Sequence, residues 1–203
     1  MRRGTKFLIL LVIVIGLLAA GAASILHDGL SARAQPSALE TALAAVMRKL
    51  AMPSAAHSAK NPVANSPEVL RDGRLHFADH CAICHGNDGS GDTEMGRGLY
   101  PRAPDMRLAA TQNLTDGELF YIIENGVKLT GMPAWGGEGH EGDSSWKLVR
   151  FIRHLPKVSE AEIEHMKQLN PKGPDEWKEQ QDAKQFLEAE KPPAKPAHKH
   201  GGK

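Results

Sequence analysis

The chain has 203 residues, with 25 Lys and Arg against 24 Asp and Glu and a formal charge of +1. The overall balance decides little, but residues 66–156 carry nine basic and thirteen acidic side chains, while residues 157–203 carry nine of each. An acidic central module excludes a nucleic-acid partner, whose phosphates demand a basic face, and suits long-range attraction to a partner with a basic docking face.

Arg2, Arg3 and Lys6 precede an almost wholly apolar run from Phe7 to Leu26, closed by His27 and Asp28. About 20 apolar residues are what a helix needs to cross a bilayer. Basic residues in front of the run place the N-terminus in the cytoplasm and the remainder outside it. The competing reading is a cleaved signal peptide, with small-residue sites at Ala20-Gly21-Ala22 or Ala32-Arg33-Ala34. The run is longer than the usual signal core, which favours an anchor spanning residues 1–28. In both readings the rest of the chain is exported to the periplasm or its equivalent.

Ser37 and Glu40 form a capping-box pattern ahead of Leu39, Leu43, Val46 and Leu50, and Pro53 ends that run. This predicts a short amphipathic helix, packed on the membrane surface or, as the favoured reading, on its own domain. Pro53 to Asn65 reads as a linker, so residues 29–65 are a helix and a linker. Ser66 and Pro67 open the next helix, with Leu70, Gly73 and Phe77 on one face. A glycine inside a helix costs up to about 1 kcal/mol relative to alanine, so Gly73 marks a close approach.

That helix leads into Cys81-Ala82-Ile83-Cys84-His85, which contains the chain's two cysteines. The C-x-x-C-H spacing is the attachment signature of a c-type haem. Each thiol can form a thioether with a haem vinyl group, and the following His85 is held against the iron as an axial ligand. A zinc site wants a second pair of Cys or His ligands at finger-like spacing. A thioredoxin-like pair wants a βαβ setting. Neither pattern is visible here.

Gly86 to Gly98 is rich in glycine and reads as loop, and Pro101 and Pro104 stiffen the segment after it. A second capping box, Thr115 with Glu118, starts a helix that Gly126 stops. Gly136 to Gly142 is a glycine-acid loop. Asp143 opens a helix in which Leu148, Phe151, Ile152 and Leu155 share a face, closed by Pro156. A third capping box, Ser159 with Glu162, and a start near Asp175 predict two more helices in a 157–191 extension. Residues 192–203 read as disordered. Their His198 and His200 fit a solubilising tail better than a metal tract. No segment alternates with period two, so the chain is read as all-α.

One histidine leaves the other axial position of a haem to be filled. Met132, in Thr130-Gly131-Met132-Pro133-Ala134-Trp135, has a glycine that permits close approach and a proline that fixes the backbone. It is favoured over Met95, Met106 and Met166, with His140 next in line. His80 adjoins the motif and does not easily reach the far face.

These motifs, in this order, make residues 66–156 resemble the class I c-type cytochromes, in particular the membrane-anchored monohaem cytochromes of bacterial respiratory chains. The carriers are Gly73-x-x-x-Phe77, Cys81 to Gly86, Leu99-Tyr100-Pro101-Arg102-Ala103-Pro104-Asp105, Leu114 to Phe120, Asn125-Gly126, Gly131 to Trp135, and Trp146 to Leu155. The resemblance implies a helical fold around one covalent haem c, with the first and last helices of the domain crossing at Gly73 and Phe151. It implies a backbone carbonyl at Pro101 or Pro104 that orients His85 through Nδ1–H, and it places Trp135 among the cofactor-binding residues. The expected function is one-electron transfer between redox protein partners at the bacterial inner membrane, without catalysis. The rival is a haem enzyme or gas-binding protein with an open sixth position, which stands or falls with Met132.

Overall fold

The computed structural model describes residues 3–28, 31–137 and 142–189, and its described residues contain helices and no strand. His140 and the tail 192–203, including His198 and His200, lie outside the described residues. The chain forms two compact units, Met1–Asn170 and Pro171–Lys203.

In the first unit, α1 (Arg3–Asp28) contains the apolar run. α2 (Ala38–Ala51) opens on the Ser37/Glu40 capping box, both of whose hydrogen bonds are formed. The stretch expected to be a linker instead contains α3 (Ser54–Ser58). This single turn is held from outside. Ala56 is buried, and His57 Nδ1 lies 2.8 Å from Glu118 Oε1. Asn61 donates to the Trp146 carbonyl, and Arg150 donates to that of Val63. A five-residue helix has too little cooperative length to stand alone, so these tertiary contacts are its cause.

α4 (Pro67–His76) starts with the Ser66 hydroxyl accepting from the Val69 amide, with Pro67 in the first turn. It runs into one π-helical turn, Phe77–Cys81, and then into α5 (Ala82–His85). Gly73 packs directly on α9 (Gly142–His154). A Cβ there would stand 2.9 Å from the Lys147 carbonyl carbon and 3.1 Å from Phe151 Cβ, so only glycine admits this crossing. Phe77 and Phe151 meet just beyond it, ring centroids 5.2 Å apart. The expected crossing at Gly73 and Phe151 is therefore the observed one.

The glycine-rich segment after His85 is not all loop. α6 (Glu94–Gly98) is capped by Thr93, whose hydroxyl accepts from the Gly96 amide. A further turn, α7 (Ala109–Gln112), precedes α8 (Asp116–Asn125), which carries the Thr115/Glu118 capping box. α9 ends in a 3₁₀ turn, Leu155–Lys157, and α10 (Glu160–Lys167) opens on the Ser159/Glu162 box. Met166 of α10 is fully buried in a core with Phe77, Leu148, Phe151, Ile152 and Leu155. α10 thus belongs with the residues before it, and the expected 157–191 extension divides after Asn170. The second unit contains α11 (Pro174–Ala189).

Arg153 ties the core's ends together. It donates to Asp116 Oδ1 at 2.9 Å and to the carbonyls of Gln112 and Leu114.

Candidate haem site

The π turn and α5 carry Cys81, Cys84 and His85 on consecutive turns, and both thiols are free. The loop that follows closes over the end of α5 and satisfies its outward carbonyls. Gly91 donates its amide to the His85 carbonyl at 2.7 Å, and Thr93 Oγ1 donates to the carbonyls of Ile83 and Cys84 at 2.8 and 3.0 Å. Gly96 sits so close to the Cys84 carbonyl that no side chain fits between them.

The same loop brings in the proline segment. Gly91, at φ +71, leaves no room for a Cβ against the carbonyls of Ala103 and Pro104, and the Met106 amide donates to the Gly89 carbonyl at 2.8 Å. The Pro104 carbonyl thereby faces His85 and favours its protonated form. Pro101 stands apart, exposed after a cis peptide bond. Tyr100 beside it donates its hydroxyl to Glu40 Oε1 at 3.0 Å. Of the two prolines considered, Pro104 is the one whose carbonyl bears on the imidazole.

His85 is 8% exposed, and its buried Nδ1 has no formed hydrogen bond. Burial drives its pKa down to about 4, against the smaller opposing pull of the Pro104 carbonyl. The ring is neutral near pH 7, which leaves one nitrogen as an unprotonated electron-pair donor. Burial also pushes the Cys81 thiol up to about 12, with Cys84 alongside adding to the effect, and raises Cys84 as well. Neither sulfur is primed as a thiolate nucleophile of the redox-enzyme kind, whose pKa is lowered. Two protonated thiols one turn apart, followed by a buried neutral imidazole with an unpaired nitrogen, fit the attachment site of a c-type haem.

Met132 lies on the loop that leaves α8. That loop closes on itself: the Val127 amide donates to the Met132 carbonyl, and the Met132 amide donates to Thr130 Oγ1, both at 3.1 Å. Gly126, at φ +65, is required twice over. Its backbone is left-handed, and a Cβ would stand 2.7 Å from the Met132 carbonyl oxygen. Beyond Met132, the Trp135 amide donates to the Ile123 carbonyl at 3.0 Å. Gly131 is pressed against Leu99, which brings the methionine loop to the segment leading into Pro101.

Trp135 packs on the core and lies over His80, with ring centroids 5.2 Å apart. His80 is thus engaged beside the motif, with Asp79 3.3 Å away. Met106 and Met166 are buried in the core, whereas Met95 is half exposed on α6. Met106 also stands outside a helix with both backbone groups bonded, but its side chain is buried in the core, whereas Met132 stands on a fixed loop and outside that core.

The clasp of residues 56–63 on α8 and α9 escaped sequence reading. Its one signal is Gly117, a glycine inside a helix as Gly73 is; a Cβ there would collide with the Ala56 carbonyl and stand 2.7 Å from Ala59 Cβ.

Residues 68–152 match the family described as cytochrome c oxidase, cbb3-type, subunit III. The chain is also similar to the cbb3-type cytochrome c oxidase subunit FixPc of Rhizobium leguminosarum bv. viciae, at 31% identity over 90 residues. That stretch is 44% of this chain and 29% of the relative, so the chain spans under a third of the length of the relative it matches. The matched residues include the glycine-mediated crossing of α4 on α9, the C-x-x-C-H turn and the anchored methionine loop: over this stretch the chain is similar to that family, and its all-helical fold is that of a class I c-type cytochrome.

Proposed function

We propose that the protein is a membrane-anchored one-electron carrier that holds a single covalent haem c. The supporting observation is the buried, neutral His85 set directly after two free thiols, with the Pro104 carbonyl facing its ring. Cys81 and Cys84 would hold the haem through two thioethers, His85 and Met132 would ligate its iron, and Pro104 and Trp135 would support them. The bound haem supplies an Fe(III)/Fe(II) couple.

The chain's own residues do the rest. His85 is kept neutral by burial and so stays available as a donor across the physiological range. The methionine loop, pinned by its bonds to Val127 and Thr130, presents a thioether without a large ordering cost at each turnover. Met/His ligation raises the reduction potential and leaves no open position for a substrate, which favours electron transfer over catalysis.

α1 anchors the chain in the bacterial inner membrane, with residues 66–156 as the haem domain on the periplasmic side. The similarity to a cbb3-type oxidase subunit supports a redox partner of the terminal-oxidase kind, and the excess of acidic residues in the haem domain supports a basic docking face on that partner. Acid-acetone extraction of the purified full-length protein tests the attachment. The haem stays on the polypeptide and is lost from Cys81→Ala/Cys84→Ala. Free extraction from the wild type refutes the proposal.

A further inference from the structure

α2 has a wide apolar stripe that nothing in the described structure covers. Leu39, Leu43, Val46, Met47 and Leu50 follow one another at helical spacing, and each is between 55% and 78% exposed. No residue of the helix is buried. Thr41 and Arg48 occupy the opposite side, with Glu40 and Lys49 at the borders. The expectation that this helix packs on its own domain is therefore not met. Close packing resumes immediately after it, at Met52 and at Ala56. The bare stripe is thus confined to α2.

We infer that α2 lies in the membrane–water interface, with Leu39, Leu43, Val46, Met47 and Leu50 in the lipid of the leaflet through which α1 emerges. The inference rests on the reading of α1 as an uncleaved anchor. The apolar span is Gly4–Ser24 and α1 ends at Asp28. Nine residues then separate it from α2, which at full extension reach about 30 Å at most. The helix is thereby tethered at the surface of the bilayer, where a lipid face is present at a local concentration no soluble partner can match.

The charges agree. Arg33, Arg48 and Lys49 outnumber Glu40, so this segment is basic where the haem domain is acidic, as anionic headgroups require. Glu40 is also occupied, by its own cap and by the Tyr100 hydroxyl. Through that bond a seated α2 sets the Tyr100–Pro101 edge of the haem domain close to the headgroups. The domain then approaches membrane-bound redox partners in one restricted orientation instead of tumbling on a free tether.

The test uses the full-length, haem-loaded protein, reduced so that its iron is diamagnetic, in vesicles of phosphatidylethanolamine and phosphatidylglycerol. Nitroxide labels are placed singly through Leu43→Cys, Leu50→Cys, Thr41→Cys and Arg48→Cys. Collision with oxygen, which concentrates in lipid, is compared with collision with a water-soluble nickel chelate. We expect the oxygen-to-nickel ratio at positions 43 and 50 to exceed that at 41 and 48 several-fold. Equal, water-like ratios at all four positions overturn the inference. So does low collision with both reagents at 43 and 50, which indicates a protein face, whether of the haem domain, a second copy or another chain. Alkaline carbonate extraction is run on the same samples. Retention in the membrane with water-like labels refutes the interfacial helix alone, whereas release of the protein refutes the anchor on which it depends.

Discussion

Replacing Gly73 by alanine sets two known effects against each other. Alanine improves helix propensity by about 0.8–1.0 kcal/mol in an exposed helix interior. At this position, however, the new Cβ stands 2.9 Å from the Lys147 carbonyl carbon and 3.1 Å from Phe151 Cβ, and closer still to the Lys147 carbonyl oxygen. Carbon–carbon contacts are comfortable at about 3.5–4.0 Å, so α4 and α9 must part by roughly half an ångström or more. The obstacle is largely backbone and cannot rotate aside. A gap of that size forfeits a quarter to a half of the dispersion energy of each contact across it, and Phe77 and Phe151 meet just beyond the crossing. Overpacking of this kind costs about 1–3 kcal/mol, and the upper part of that range applies here. The net expectation is a loss of about 1–2 kcal/mol, or a fall in Tm of about 5–15 °C for a domain of this size.

Thermal unfolding of the holoprotein in detergent, followed by circular dichroism and at the haem absorption band, measures it. Gly98→Ala is the control, because a Cβ at Gly98 meets nothing within 4 Å. It leaves Tm unchanged or slightly raised. If Gly73→Ala melts at or above the wild type, the crossing is not held by close approach and the reasoning fails.

Glu162 accepts from the Ser159 amide and hydroxyl and lies beside Arg74 and His154. Partial burial raises its pKa, but the Ser159 bonds and His154 outweigh it and bring the carboxyl down to about 2 from 4.5. Its stabilisation is therefore complete above about pH 4.5 and lost as pH falls towards 2. Glu162→Gln lowers stability near neutrality by about 1–2 kcal/mol, discounted for its exposure, and flattens the acid limb of a denaturation series between those two values. An unchanged acid limb contradicts the assignment. Gly117→Ala forces Ala56 and Ala59 off α8, so limited proteolysis between residues 53 and 65 accelerates several-fold while the haem spectrum is unchanged. Met132→Ala lowers the reduction potential measured by redox titration, and Met95→Ala leaves it in place; equal shifts in both remove the reason to prefer Met132.

What was legible in the sequence is what acts locally. The three capping boxes, at Ser37, Thr115 and Ser159, depend on side chains three residues apart, and all three are formed. Gly73 was legible because a glycine inside a periodic apolar pattern needs a reason. α3 and α6 were not legible, since five residues display no period. α3 exists because α8 and α9 hold it, and α6 because Thr93 caps it while also binding the Ile83 and Cys84 carbonyls. The choice between Pro101 and Pro104 was undecidable in sequence for the same reason. It turns on where Gly91 lets the chain pass. The exposed face of α2 reads identically whether its partner is protein or lipid, because periodicity reports that a face is apolar and not what it meets.

The central claim, a saturated haem carrier, is tested most directly by exposing the reduced, full-length wild-type protein to carbon monoxide and recording the optical spectrum. The account predicts a six-coordinate spectrum that carbon monoxide does not alter within minutes, and a weak far-red band of methionine ligation in the oxidised form. It also predicts rapid binding once Met132 is replaced by alanine. Rapid carbon monoxide binding by the wild type, with a five-coordinate ferrous spectrum, would contradict it and make an enzyme or gas-binding protein the better account.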